Sequence, residues 1–258
     1  MIRYATLVDG RPGVVRICGQ TSGEPDMFLT LREAGDMVSQ DARRRVVGEL
    51  AGAAGADSEA EALHAVRQVH SARVVWATGS TLSAGPPAGG STPMTNVEAD
   101  GMLTDRRGDV LGVTVADCMP IYLFAAGGRD AAENGHAPVF GILHSGWKGT
   151  GIAAEALRML ETERGIAAHS VTAVLGPSIR SCCYRVDRER GEYFASSWGE
   201  EAVRRDGEAW YLDLVAANTG LPRSAGVEDI RVVDSCTMCE ERFGSYRREG
   251  SEGFTHML

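Results

Sequence analysis

Val110-Leu111-Gly112-Val113-Thr114-Val115-Ala116-Asp117-Cys118-Met119-Pro120-Ile121-Tyr122-Leu123-Phe124 is the stretch on which the reading of the fold turns. Its first six residues have the apolar, β-branched character of a buried strand. The run breaks at Asp117-Cys118, and Ile121 to Phe124 resumes strand character. Downstream, Val139-Phe140-Gly141-Ile142-Leu143 is a second apolar strand that ends at His144. After Ser145-Gly146-Trp147-Lys148-Gly149-Thr150-Gly151 the period changes to that of a helix. Ile152, Ala156, Leu157 and Leu160 form its inner face, and it stops near Gly165. Val171 to Leu175 is a further strand, broken by Gly176-Pro177.

Outward from this centre the elements alternate irregularly. Tyr4 to Val8 and Val14 to Ile17 read as strands around a turn containing Asp9-Gly10 and Pro12-Gly13. A helix is expected between Asp36, as its cap, and Gly52, as its stop. Val74-Val75-Trp76 is a short strand, and Thr78 to Thr95, rich in Gly, Ser, Thr and Pro, is a loop. Later helices are expected from Arg188 to Arg205 and from Asp213 to Leu221. Strands without strict alternation with helices give an α+β fold, mixed β layers forming a core flanked by helices. No repeat divides the chain, so residues 1–258 are read as one domain.

Composition excludes several functions. With 43% hydrophobic and 24% charged residues, the chain can form a core. Its 26 basic residues face 35 acidic ones, a net charge of −9. Phosphate backbones are bound by Lys and Arg, so no nucleic-acid partner is expected. No apolar run approaches the ~20 residues of a membrane span. The start Met1-Ile2-Arg3-Tyr4-Ala5-Thr6 lacks the pattern of a signal peptide. A cytoplasmic monomer without a membrane partner is the expectation. Six cysteines are too few in so long a chain for a disulfide scaffold.

Three metal-competent side chains fall at element ends: His70 in Gln68-Val69-His70, Cys118 in Asp117-Cys118, and His144 in Leu143-His144-Ser145. Two imidazoles and one thiolate suit zinc and leave a coordination position open for water, which lowers the pKa of that water. Spacing alone proves no site, since the three are far apart and a buried Cys is commonly inert.

Further motifs accompany them in one order. Ala99-Asp100-Gly101-Met102-Leu103-Thr104-Asp105, Thr114 to Pro120, and His144-Ser145-Gly146-Trp147-Lys148-Gly149-Thr150 are followed by Gly176-Pro177-Ser178-Ile179 and Cys183-Tyr184-Arg185-Val186. Asp213-Leu214, Cys236-Thr237 and Ser245-Tyr246-Arg247-Arg248 complete the series. From about Asp26 to about Gly250 the chain resembles the purine nucleoside phosphorylase family formerly called laccase-domain or polyphenol oxidase proteins. The resemblance implies zinc held by His70, Cys118 and His144, and a mixed fold with β layers between helices. It implies purine nucleosides and phosphate as substrates: cleavage of adenosine, inosine, guanosine and methylthioadenosine with phosphate, and deamination of adenosine. Ser145 stands where the family has Ala, Lys148 where it has Arg, Ala42-Arg43 where Asn-Arg is common, and Gly253-Phe254 where Gly-Arg is usual.

Around the metal, Asp117 is a candidate catalytic carboxylate beside Cys118, either orienting a ligand or moving protons. Lys148, at the start of a helix, and Arg247 are candidate phosphate or ribose contacts. Gln68 is a candidate substrate contact on the same face as His70, and Arg43 is a weaker candidate. Cys236 and Cys239 form a Cys-x-x-Cys without a suitable second pair, because Cys182 and Cys183 are adjacent and expected to diverge, so core packing is their expected role. His64, His136 and His169 carry no signal. Three other functions fit parts of the pattern. A copper oxidase would use Met119 as a fourth ligand but lacks the further histidines a laccase needs. A hydrolase or amidase would pair Cys118 as nucleophile with His144 as base. A metal-holding interaction module would have no activity.

Overall fold

The structure is a computed structural model that describes residues 2–9, 12–18, 25–53, 63–78, 96–126, 137–251 and 253–258. Gly10, His136 and, beyond Thr78, the loop expected up to Thr95 lie outside them. The first strands are β1 (Ile2–Asp9), β2 (Val14–Cys18) and β3 (Met27–Thr30), followed by helix α1 (Gln40–Ala53). Then come β4 (Leu63–His64), β5 (Val74–Trp76), β6 (Gly101–Thr104), β7 (Val110–Leu111), β8 (Met119–Ala125) and β9 (Val139–Ser145). The second half holds α2 (Ile152–Arg164), β10 (Val171–Leu175), β11 (Arg185–Val186) and α3 (Arg188–Trp198). It ends with β12 (Val203–Asp206), β13 (Ala209–Leu212), α4 (Leu214–Ser224), β14 (Asp229–Val233) and α5 (Tyr246–Glu249).

Nine strands of the described residues form one mixed sheet in the order β3-β2-β1-β14-β10-β8-β9-β6-β5. The pairs β1–β14, β10–β14 and β5–β6 run parallel, and the others run antiparallel. The fold is α+β, as the irregular succession of strands and helices implies. Both faces of the central strands are covered, so alternate residues enter different cores. Met119, Ile121 and Leu123 pack with Leu143, Ile152, Leu157 and Ala217 on the face of α2 and α4. Ile142 and Met102 pack on the opposite face with Val113, Val115, Phe243 and Met257, where Cys118 and Tyr122 also lie. No helix among the described residues is long and apolar enough to cross a membrane.

The expected strand from Val110 to Val115 is regular only at Val110–Leu111, which pairs with Leu63–His64. Beyond it Thr114 is bonded to Gln68, and Val115 exchanges backbone hydrogen bonds with Met257 at 2.9 and 2.8 Å. The first helix begins at Gln40, not after Asp36. Asp36 accepts from the backbone of Val38 and from the ring Nδ1 of His256, so its carboxylate is taken up elsewhere. Ser39 Oγ instead accepts from Ala42 N. The helix expected from Arg188 to Arg205 ends at Trp198, because Gly199 takes φ +96° and leads the chain out. Val203–Asp206 is then a strand, turning through Gly207 at φ +56° onto Ala209–Leu212. The Asp206-Gly207 pair was the available signal for that hairpin.

Candidate metal centre

Strand β9 sets the first ligand. Alternation sends Leu143 and Ser145 toward α2 and α4, and Ile142 and His144 to the other face. Ser145 is fully buried, and its hydroxyl donates to Asn218 Oδ1 at 2.8 Å, which accounts for a polar side chain at this departure from the family pattern. His144 is buried, and its Nδ1 lies 2.8 Å from Asp100 Oδ1. That contact places the proton on Nδ1 and leaves Nε2 to face Cys118.

Asp100 organises the centre. It precedes β6, is wholly buried, and its carboxylate accepts five hydrogen bonds. His70 N reaches Oδ1 at 3.0 Å, while Ser71 N and Oγ reach Oδ2 at 2.6 and 2.8 Å. One carboxylate therefore holds the ring of His144 and the backbone of His70. Burial pushes Asp100 up, but the hydrogen bonds from His144 and Ser71 win and hold it at about 2.

Backbone strain coincides with the site. Among the described residues, His70 at φ +58° and Asp117 at φ +81° are the non-glycine residues in the left-handed region. Such conformations persist where surroundings over-determine them, typically at functional sites. Asp117 is held by Thr237 Oγ1 donating to Oδ1 at 2.6 Å and Arg247 N donating to Oδ2 at 2.7 Å. Its carbonyl accepts from Ile179 N at 3.0 Å.

The donor atoms of His70, Cys118 and His144 all lie within 4.8 Å of one another. The two rings stand edge to face with centroids 4.8 Å apart. Burial would raise the Cys118 thiol, yet hydrogen bonds and charge from His144 and His70 pull it down to about 7. The same partnership, with Asp100, overcomes burial and pushes His144 up to about 9. Gly146 lies against the sulfur: a Cβ there would come 2.7 Å from Cys118 Sγ, so only glycine leaves the ligand its place. Two imidazoles and an ionisable thiol backed by a buried carboxylate fit a zinc-class ion with an open position.

The other residues read from the sequence fall around this cluster. Gln68 is braced against Thr114, accepting from its N and Oγ1 and donating to its O, each at 2.8 Å. Lys148 is exposed, with Nζ 5.4 Å from the centre of the Trp147 ring, whose face Arg190 also covers at 4.4 Å. The Arg247 guanidinium donates to Arg185 O at 2.8 Å and lies over Tyr184. Arg43 is buried against Met37 O. Phe254 stacks edge to face on Tyr246 with centroids 5.0 Å apart. Met119 enters the core opposite Cys118, which removes the fourth ligand of the blue-copper pattern.

Sequence reasoning assigned no role to Asp100, Tyr184 or Arg190. Tyr184 is half-buried, and its hydroxyl is pushed up first by desolvation and then by Cys118, while Arg190 and Arg247 pull it down. These charges therefore share one neighbourhood with the cluster. The available signal for Asp100 was an acid amid the apolar residues Ala99, Met102 and Leu103. The expectation that Cys182 and Cys183 diverge is overturned: their sulfurs lie 3.6 Å apart and both approach Cys239.

A family model described as multi-copper polyphenol oxidoreductase laccase matches residues 32–257. A purine nucleoside phosphorylase of Clostridium acetobutylicum is 31% identical over 60% of this chain and 63% of its own length. Purine nucleoside phosphorylase YlmD of Geobacillus stearothermophilus is 35% identical over 58% of this chain and 55% of its own. Adenosine deaminase RL5, of an unknown prokaryotic organism, is 34% identical over 58% of this chain and 57% of its own. These matches span about three-fifths of the relatives' lengths. The crystal structure of the Geobacillus YlmD superposes with TM-score 0.71 at 28% identity, covering 95% of this chain and 90% of that one.

Proposed function

The chain belongs to the multi-copper polyphenol oxidoreductase laccase family, and from that membership and the geometry of the cluster we propose a zinc-dependent enzyme acting on purine nucleosides. Its reactions in this reading are phosphorolysis, including that of methylthioadenosine, and adenosine deamination. The convergence of two imidazoles and one thiol on a point backed by Asp100 carries the reading. The names of relatives on either side of the two reactions support it. We assign the enzyme to the cytoplasm as a monomer, with neither nucleic acid nor membrane as partner.

His70, Cys118 and His144 would hold the ion, which when bound supplies a Lewis acid with one open coordination position. The chain's own residues do the rest. Asp100 keeps His144 in the tautomer whose Nε2 is free and fixes the loop that carries His70. Asp117, with both oxygens engaged by Thr237 and Arg247, sets the strained backbone that presents Cys118. Gln68 braces the His70 loop against Thr114. Arg190 and Arg247, near Tyr184, and Lys148 beside Trp147 attract and orient phosphate. Phosphorolysis exchanges the bond from ribose C1′ to the purine nitrogen for one to a phosphate oxygen, and the purine leaves with a proton. Deamination exchanges the purine amino group for an oxygen from water and releases ammonia.

Copper chemistry of the laccase type needs several histidine-rich centres. Among the described residues only His70 and His144 come together as imidazole donors. The lowered Cys118 thiol favours a second reading, a cysteine nucleophile with His144 as base. Two imidazoles on one sulfur, one anchored by a carboxylate, form a ligand set more readily than a nucleophile–base pair. Base release and deamination are to be followed on a nucleoside panel, with and without phosphate, for wild type and Cys118→Ala of known metal content. Loss of both activities with the ion is expected. Phosphate-dependent base release that survives both Cys118→Ala and chelation contradicts the proposal, and activity of metal-free wild type with a covalent adduct on Cys118 supports the second reading.

A further inference from the structure

Strands β10 and β14 are parallel neighbours, so the turns that follow them leave the same edge of the sheet. An isolated parallel bridge between Ser178 and Cys236 continues their pairing, with Thr237 N donating to Ser178 O at 3.2 Å. One turn carries Cys182 and Cys183, the other Cys236 and Cys239. The sulfurs of residues 182 and 183 lie 3.6 Å apart, those of 182 and 239 lie 3.8 Å apart, and those of 183 and 239 lie 3.3 Å apart. All four sulfurs lie within 4.8 Å of one another.

We propose that Cys182, Cys183, Cys236 and Cys239 form a second metal site, a closed tetrathiolate for a single zinc-class ion. A tetrahedral ion with metal–sulfur bonds of ~2.3 Å requires sulfurs ~3.8 Å apart; residues 182, 183 and 239 stand at 3.3 to 3.8 Å, and the Cys236 sulfur lies within 4.8 Å of them. Four soft donors in a tetrahedron select zinc over the hard cations. All four are free thiols, and the backbone N–H groups of Arg180 and Cys239 donate to the Cys236 sulfur, as a metal-bound thiolate requires. Binding replaces sulfur–hydrogen bonds by metal–sulfur bonds and releases the thiol protons to solvent. With four protein ligands the site has no open position, so its role is structural.

Its place in the fold gives that role content. The turn bearing Cys236 and Cys239 also supplies Thr237, which holds Asp117, and is gripped by Arg248 through the carbonyls of Thr237 at 2.7 Å and Met238 at 3.1 Å. The turn bearing Cys182 and Cys183 supplies Ile179, which bonds Asp117 O, and leads into Tyr184. An ion here clips together two segments that both reach the first cluster.

The test is metal content by mass spectrometry of zinc-loaded full-length protein purified with a thiol reductant, in wild type, Cys118→Ala, Cys239→Ser, and Cys118→Ala combined with Cys239→Ser. The expected zinc equivalents per chain are two, one, one and none. In the Cys118→Ala protein, cobalt(II) should give the intense visible bands of a tetrahedral thiolate centre, and zinc should bleach them. The cobalt titration needs no change among the four cysteines, so it stands even where Cys239→Ser fails to fold. Folded Cys118→Ala protein that binds no zinc and gives no cobalt–thiolate spectrum overturns the proposal. So does an intact mass lower by two hydrogens, which reports a disulfide between these cysteines. Failure of the first site alone reads differently: Cys118→Ala would then keep the full wild-type content, and Cys239→Ser would still lower it.

Discussion

His70, Cys118 and His144 are set around a buried carboxylate, on an edge where two backbones are forced into the left-handed region. Cys182, Cys183, Cys236 and Cys239 lie on two turns, Cys182 and Cys239 exposed and Cys236 buried, and among the described residues their sulfurs approach one another and no carboxylate. Three mixed donors stiffened from behind describe a centre that must keep its shape while a face stays open to reactants. Four like donors on turns describe a centre whose ligands enclose the ion and whose shape is completed by it. Among the described residues, left-handed non-glycine backbone and a wholly buried carboxylate gather at the first and not at the second. That is the distribution expected if chemistry happens at one cluster and stapling at the other.

The largest effect expected is that of Cys118→Ala, which breaks the comparison if it does nothing. Activity on purine nucleosides should fall by at least ~100-fold, since loss of a ligand should exceed loss of the group behind it. Zinc content should fall by one equivalent while the thermal midpoint moves little. Asp100→Asn sharpens the same point from behind the ligands. Its five hydrogen bonds would be redistributed onto a neutral amide, and affinity for the first ion should drop ~10–100-fold in a chelator competition, with the other ion retained.

Smaller effects probe the rim and the frame. Arg190→Ala should raise the KM for phosphate roughly tenfold, the scale of one charge-assisted hydrogen bond, and affect phosphorolysis more than deamination. Equal losses in both reactions would instead point to a general structural role for Arg190. Ser145→Ala takes the donor from a buried Asn218 oxygen and should cost about 1–2 kcal/mol, a fall of about 2–8 °C in Tm with metal content unchanged.

Much of this was legible in the chain. The apolar runs Ile121 to Phe124 and Val139 to Leu143 mark β8 and β9, and the period of Ile152, Ala156, Leu157 and Leu160 marks α2, because burial imposes a period on sequence. The helix expected from Arg188 to Arg205 failed midway, where a glycine and an Asp-Gly turn redirect a segment whose residue types suit either structure. Gln68 and Asp117 are candidates that the sequence offers, yet their hydrogen bonds run to Thr114, Thr237 and the Arg247 backbone, partners that no spacing along the chain encodes.

Sequence by itself determined the donor types, the strand ends that carry two of them, and an α+β chain of net negative charge. Only the tertiary structure decided which donors meet. Asp100 reaches His144 because β6 and β9 pair, and the four thiols meet because β10 and β14 run side by side. Local residue patterns follow from short-range sterics and burial, whereas such meetings depend on strand order, which is fixed by the packing of the whole sheet.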